Sequence, residues 1–289
     1  MPGVSGCMHQ NRTIPPNQHE SHRKGLISCP LKQNHEQMTH PYQLTDKVAL
    51  ITGGGEGIGL GIARVFIGLG ARVVITGRTL PTLEKAREEL GEHCLIYKND
   101  VVDKASHKDL IDFVETTCGR LDILVNNAGR HLKKPSLEVT DEEFQAVIDT
   151  NLNSVFSLTR TALKGMIRRQ GGSVIFISSM SALYGLEKVA AYSSSKTALL
   201  GMARSLASEY SHTGVRFNTI APGFIESKML EAALAKDPER KARVLRRTPA
   251  GRLGKPEEIG LAAAFLASDA SRFITGACLP VDGGNAIGF

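Results

Sequence analysis

The sequence predicts an α/β fold: one domain built on an open, doubly wound sheet of about seven parallel strands. Three observations carry that reading. Short β-branched runs alternate with longer helical patterns from Asp46 to the end of the 289-residue chain, the order that builds a parallel sheet with helices on both faces. The runs are almost continuously apolar, as strands buried on both faces must be. A glycine-rich turn, TGGGEGIG at residues 52–59, joins the first run to the first helical pattern.

In order, the strands are KVALIT (47–52), RVVIT (72–76), CLIYK (94–98), DILVNN (122–127), SVIFIS (173–178), VRFNTI (215–220) and ACLPV (277–281). Between them, TDEE at 140–143 is a capping box that opens a long helix towards Arg169. Pro256 followed by Glu257 and Glu258 reads as the first turn of another. With right-handed crossovers the sheet is Rossmann-type. The pattern shows no second domain and no internal repeat.

Residues 1–43 stand apart. They hold five of the nine histidines and five of the twelve prolines, without apolar periodicity. Such a segment buries too little surface to offset its ordering entropy, so it is expected to be a disordered extension to a folded domain at 44–289. It lacks the apolar stretch of a secretory signal. Met38 precedes the point where ordered sequence is expected, which makes it a candidate translation start.

Composition narrows the function classes. Hydrophobic residues make up 42% and charged residues 22%, ordinary for a globular protein. No run of eighteen uncharged apolar residues signals a membrane span. The net charge of +6 is spread out, without the dense basic block of a nucleic-acid surface. Cys7, Cys29, Cys94, Cys118 and Cys278 show neither metal-ligand spacing nor a disulfide framework, which fits reduced thiols in the cytoplasm and no metal site.

The turn at 52–59 has the context of a dinucleotide-binding loop, between a strand and a helix. Gly53 permits the tight turn, and Gly57 and Gly59 let main-chain amides approach a pyrophosphate. Tyr192 and Lys196, in AYSSSKTALLGMA, stand four apart and share one helix face. A tyrosine has a pKa near ~10, and a fixed positive charge beside it favours the phenolate, which moves it towards use as an acid/base.

TGGGEGIG, NNAG (126–129), Asn151, Ser179, YSSSK (192–196) and PGFIES (222–227) resemble the classical short-chain dehydrogenase/reductases over residues 44–289. The resemblance implies an NAD(P)-dependent oxidoreductase that interconverts a secondary alcohol and a ketone by hydride transfer. It implies that Tyr192 is the general acid/base, that Lys196 lowers its pKa and binds the nicotinamide ribose, and that Ser179 polarises the substrate oxygen. Asn151 would hold a water linking Lys196 to solvent. Ser178, Ser181, Ser193, Ser194 and Ser195 are read as bystanders.

The same resemblance implies dinucleotide contacts at Gly53, Gly55, Glu56, Gly57, Ile58 and Gly59, at Arg78, and at Asp100 and Val101. Further contacts would come from Asn127, Ala128 and Gly129, with NNAG lining the adenosine side, and from Tyr192 and Lys196. Pro222, Gly223, Ile225 and Ser227 would close over the nicotinamide, with serine standing at 227 where the family usually has threonine. At the end of the second strand Gly77 replaces the acid that bonds a ribose hydroxyl, and Arg78 follows. That favours NADP; Glu56 speaks for NAD as the alternative.

Arg130, His131, Leu132 and Lys133 would border the expected active-site mouth, with His131 read as a surface-loop residue sooner than a functional one, and residues 224–252 would form a lid. The cluster Arg240, Lys241, Arg243, Arg246 and Arg247 reads as the wet face of a helix, with attraction of a carboxylate or phosphate as the alternative. The stretch after NNAG resembles sugar-acid and polyol dehydrogenases such as gluconate 5-dehydrogenases. TNLNSVFSLTR and ITGACLPVDGG equally suit a 3-oxoacyl-carrier-protein reductase. A catalytically idle dinucleotide sensor is the reading from another class, and the intact set Asn151, Ser179, Tyr192 and Lys196 opposes it. The family also implies a homotetramer that joins through helices near 140–170 and 190–211, with Val147, Leu152, Leu199 and Met202 as apolar surface.

Overall fold

The computed structural model describes residues 40–227, 230, 235 and 237–288. Seven strands form one sheet: β1 (Val48–Thr52), β2 (Arg72–Gly77), β3 (Cys94–Lys98), β4 (Ile123–Asn126), β5 (Gly172–Ile177), β6 (Val215–Pro222) and β7 (Cys278–Val281). Their order is β3-β2-β1-β4-β5-β6-β7, and every pairing is parallel. Each apolar run in the sequence is therefore a strand.

Side chains alternate across the sheet and divide the core in two. Ala49, Ile51, Val73, Ile75, Val125 and Ile175 face one way, against α1 (Gly57–Gly68), α2 (Leu80–Leu90) and the helix Pro256–Ala267. Leu50, Val74, Leu124, Val174 and Phe176 face the other, against α3 (His107–Cys118), α5 (Ser154–Arg168) and α6 (Ala190–Tyr210). Burial on both faces explains why the strands read as unbroken apolar runs.

The capping box is present: Glu143 N donates to Thr140 Oγ1 at 3.2 Å and Thr140 N to Glu143 Oε2 at 3.1 Å. The helix it opens is not continuous. α4 (Asp141–Ile148) passes into a π turn at Asp149–Asn153 before α5 begins, and Ser154 N donates to Asp149 O, five residues back. Polar side chains compete for the local ladder: Thr150 Oγ1 donates to Ala146 O at 2.9 Å and Ser154 Oγ to Thr150 O at 2.6 Å. The inserted turn buries Asn151 completely.

Two expectations need correction. Val147 and Leu199 are buried in the chain's own core and are not spare surface, while Leu152 and Met202 are half-buried against it. The exposed apolar residues on these helices are Phe144 and Phe156. Residues 40–43, assigned by composition to the extension, belong to the folded unit. Ala270 N donates to Pro41 O at 3.1 Å, and the Tyr42 ring lies 6.3 Å from that of Phe265. The rest of the expected extension, with the candidate start at Met38, lies outside the described residues.

Candidate active site

The sheet order reverses between β1 and β4, and the candidate residues follow the C-terminal ends of the strands there, where open α/β sheets bind ligands. The glycine turn leaves β1 with Gly53 N and Gly54 N both donating to Thr76 O, at 2.8 and 3.2 Å. Thr52 Oγ1 accepts from Asn127 N and Ala128 N, each at 3.0 Å. Asn127 Nδ2 donates to Thr52 O at 2.9 Å and Gly53 O at 3.0 Å. The Asn127 side-chain nitrogen thus braces the glycine turn.

The turn fits a pyrophosphate. A Cβ at Gly59 would lie 2.2 Å from Gly53 O, so only glycine lets the helix start so close to the turn. Gly57 has φ +54, and a Cβ there would meet nothing within 4 Å. Glu56 caps α1 without a side-chain hydrogen bond, and the first turn carries no acid. The first-turn amides therefore keep their capacity for an anion. Gly55 lies against Thr82, Ile58 packs on the core beneath, and Glu56 is exposed.

Beyond β2, Arg78 and Asp100 border a hollow of about 390 Å³ with Tyr97, Lys98, Asn99, Asp103 and Ser106. Asp100 Oδ1 accepts from Val102 N at 3.1 Å, and Val101 O pairs with His107 Nε2 at 2.9 Å. Lys98 stands opposite Gly77 in the register. This second cation beside Arg78 was missed; strand register places it there, and its neighbours in sequence do not.

At the end of β5, Ser179 caps a short turn, Met180–Ala182, and its Oγ accepts from Ser181 N at 3.1 Å. Its side chain lies beside Tyr192 and acts to lower that residue's pKa. Tyr192 and Lys196 lie on α6, and Lys196 Nζ donates to Ile177 O at 2.7 Å while standing 5.7 Å from the Tyr192 ring centre. Burial raises the Tyr192 pKa, with the Ser179 side chain opposing it. Desolvation pushes Lys196 down to about 8. The expected lowering of the tyrosine by the lysine is not found: Tyr192 stands above its ordinary value. The ammonium is directed at a carbonyl, and burial of the phenol outweighs the opposing effect of Ser179.

Two supposed bystanders position this pair. Ser178 Oγ donates to Lys196 O at 2.8 Å, and Ser195 Oγ donates to Tyr192 O at 2.7 Å. Ser195 Oγ also accepts from Asn151 Nδ2 at 3.0 Å. Asn151 Oδ1 accepts from Arg130 N at 2.7 Å and its Nδ2 donates to Arg130 O at 3.0 Å. A Cβ at Gly129 would lie 3.4 Å from both Asn151 Oδ1 and Lys196 Nζ, so these two groups flank one glycine. The His131 ring sits 4.7 Å from the Tyr192 ring.

On the opposite side, β6 ends at Pro222, Gly223 N donates to Val281 O at 3.1 Å, and Ile225 bridges to Gly254. Ser227 Oγ accepts from Leu230 N at 3.1 Å. The next helix, α7 (Pro238–Arg247), exposes Lys241, Arg243 and Arg246 as expected of a wet face; the Arg240 side chain lies outside the described residues. Arg247 departs from that face: its guanidinium covers the Tyr184 ring at 4.1 Å, and its Nε donates to Asn285 O at 3.1 Å. The helix Pro256–Ala267, α8, follows. Among the described residues no helix is long and apolar enough to cross a membrane, and no group of three or more His, Cys, Asp or Glu residues is placed to hold a metal ion.

Comparison with known proteins agrees with this geometry. The family model described as enoyl-(acyl carrier protein) reductase matches residues 53–286. The 3-oxoacyl-(acyl-carrier-protein) reductase FabG of Salmonella typhimurium is 37% identical over 238 residues, covering 82% of this chain and 96% of the relative. The 2-dehydro-3-deoxy-D-gluconate 5-dehydrogenase of Pseudoalteromonas atlantica is 39% identical over 251 residues, covering 86% and 98%. A crystal structure of a gluconate 5-dehydrogenase from Burkholderia cenocepacia, in complex with NADP and tartrate, superposes with a TM-score of 0.81 at 34% identity, covering 86% and 98%. The chain belongs to the short-chain dehydrogenase/reductase family and is a nicotinamide-dinucleotide-dependent oxidoreductase acting on an alcohol/ketone pair.

Proposed function

We propose that this enzyme uses NADP(H) to interconvert a secondary alcohol and a ketone on a sugar acid or polyol. The observation that carries the chemistry is the convergence of Ser179, Tyr192 and Lys196 beside a glycine turn with uncapped helix amides. Bound NADP(H) supplies or accepts the hydride. The turn and the first amides of α1 hold its pyrophosphate, with Arg78 and Lys98 at the 2′-phosphate and Lys196 at the ribose. Ser179 holds the substrate oxygen. Tyr192 gives that oxygen a proton in reduction and takes it in oxidation, and the proton is replaced past Lys196 and Asn151, which flank Gly129.

The substrate class rests on the polar loop at 130–134 beside Tyr192 and on the gluconate-type relatives. A second reading, reduction of a 3-oxoacyl thioester on a carrier protein, is favoured by the FabG relatives and by the description of the matching family model. One assay separates them: 5-keto-D-gluconate, fructose and acetoacetyl-coenzyme A, each with NADPH and with NADH. Turnover of the keto-acid or ketose with NADPH supports the first reading, and turnover of the thioester alone supports the second. Turnover of none overturns both.

We assign catalysis to the folded unit, which includes residues 40–43, operating in the cytoplasm as a homotetramer. Supporting this are the unpaired Cys94, Cys118 and Cys278 and the exposed Phe144 and Phe156, the latter under the Arg160 guanidinium at 5.5 Å. A monomer by light scattering at micromolar concentration would refute the assembly.

A further inference from the structure

His131 is exposed, yet its ring is fixed against Tyr192: the centroids are 4.7 Å apart and the planes 55° to one another. Both ends of its loop are held. Arg130 is gripped through N and O by Asn151. Lys134 N donates to Lys188 O at 2.7 Å, and Lys134 Nζ donates to Glu143 Oε2 at 2.9 Å. The same Asn151 reaches Ser195, which donates to the Tyr192 carbonyl. One buried amide thus sets the loop that carries His131 and the helical turn that carries Tyr192.

A rigid, exposed ring beside the acid/base is well placed to read substrate. Imidazole brings a donor and an acceptor to that position. We propose that His131 is a specificity-determining residue that hydrogen-bonds an oxygen on the carbon next to the reacting one, selecting hydroxyketones and vicinal diols over plain ketones and alcohols. The inference rests on the sugar-acid or polyol reading, in which Tyr192 addresses the reacting oxygen and the His131 ring, packed 4.7 Å from that of Tyr192, borders the adjacent carbon.

The test uses the full-length enzyme with NADPH and a pair of ketones that differ by one hydroxyl, 3-hydroxybutan-2-one and butan-2-one. His131→Phe keeps a ring against Tyr192 and removes the nitrogens; His131→Gln restores a donor and an acceptor. The ratio of kcat/KM for the hydroxyketone to that for the plain ketone should fall about tenfold in His131→Phe, the scale of one lost hydrogen bond, and recover in part in His131→Gln. The dissociation constant of D-gluconate from the enzyme–NADP complex, read by calorimetry, should weaken in parallel. It decides alone if neither small ketone is turned over.

An unmoved ratio and an unmoved gluconate affinity overturn the proposal, even if overall activity falls, because a ring that merely supports Tyr192 affects both ketones alike. The wild-type ratio separately tests the underlying reading. A wild-type enzyme that prefers butan-2-one argues against a sugar acid or polyol, while the change on substitution still decides the role of His131.

Discussion

Asn151 holds both main-chain polar groups of Arg130, accepting its N–H at 2.7 Å and donating to its oxygen at 3.0 Å. A strand-end loop is thereby locked to the π turn between α4 and α5, and through Ser195 to the helix that carries Tyr192. The amide works as a joint: its acceptor and donor atoms are fully assigned by the partners they face.

Asn151→Ala removes the buried amide that ties the exposed Arg130 main chain to the buried Ser195, leaving Ser195 Oγ short of a donor in the interior. A loss of about 2 kcal/mol is expected, which for a domain of this size lowers Tm by roughly 4–8 °C. Asn151→Asp keeps the acceptor but turns a carboxylate oxygen towards Arg130 O, so it should be no better. Differential scanning calorimetry checks both, and a Tm within about 1 °C of wild type would show that other contacts hold the loop.

Tyr192→Phe deletes the reacting hydroxyl and keeps the ring beside His131. Turnover should fall by about 10²–10⁴-fold, the usual contribution of a general acid/base, with NADPH affinity nearly intact. Retention of more than about a tenth of the activity is incompatible with the assigned role.

Much of this was legible in the sequence, and what was missed has identifiable causes. The seven strands were visible because burial on both faces leaves continuous apolar runs. The break in the helix after Ile148 was not, since the slip at Asp149–Asn153 depends on which carbonyls Thr150 and Ser154 capture. Ser178 and Ser195 looked like their serine neighbours because only helix phase and strand-end position distinguish them. The bracing role of Asn127 is not visible until β4 is known to lie beside β1, which brings its amide onto Thr52 and Gly53. The direction of the Tyr192 shift follows from burial, which spacing alone does not reveal.

Lys196 carries a cost of its own. Its folded pKa, about 8, lies below the ordinary 10.5 because the ammonium is desolvated. Between those values the unfolded chain binds a proton that the folded chain has released, so stability rises with pH from 8 to 10.5 and is lost as pH falls back through 8. The difference corresponds to about 3 kcal/mol, partly offset at neutral pH by the bond to Ile177 O. Lys196→Met should therefore abolish turnover while making the ligand-free protein more resistant to urea at pH 7, with the gain fading towards pH 10. A variant less stable than wild type at pH 7 would show that the hydrogen bond outweighs the buried charge.

Arg78 and Lys98 share one hollow at the end of β2 and β3, and the two cofactors differ by a 2′-phosphate alone. A charge-assisted hydrogen bond to that group is worth about 1.5–3 kcal/mol. Arg78→Ala should accordingly raise KM for NADPH about tenfold or more and leave that for NADH nearly unchanged. Lys98→Ala should act in the same direction. Glu56 is exposed at the cap of α1, and Glu56→Lys should improve use of NADPH by replacing repulsion with attraction. Calorimetric titration with 2′,5′-ADP and with 5′-AMP isolates the phosphate from catalysis. Equal affinity for the two in the wild type, unmoved by Arg78→Ala and Lys98→Ala, would mean that these cations face solvent and that NAD is the working cofactor. The positions of Ser179, Tyr192 and Lys196 would stand regardless, because the β5 end and the first turns of α6 fix them independently of the hollow beyond β2.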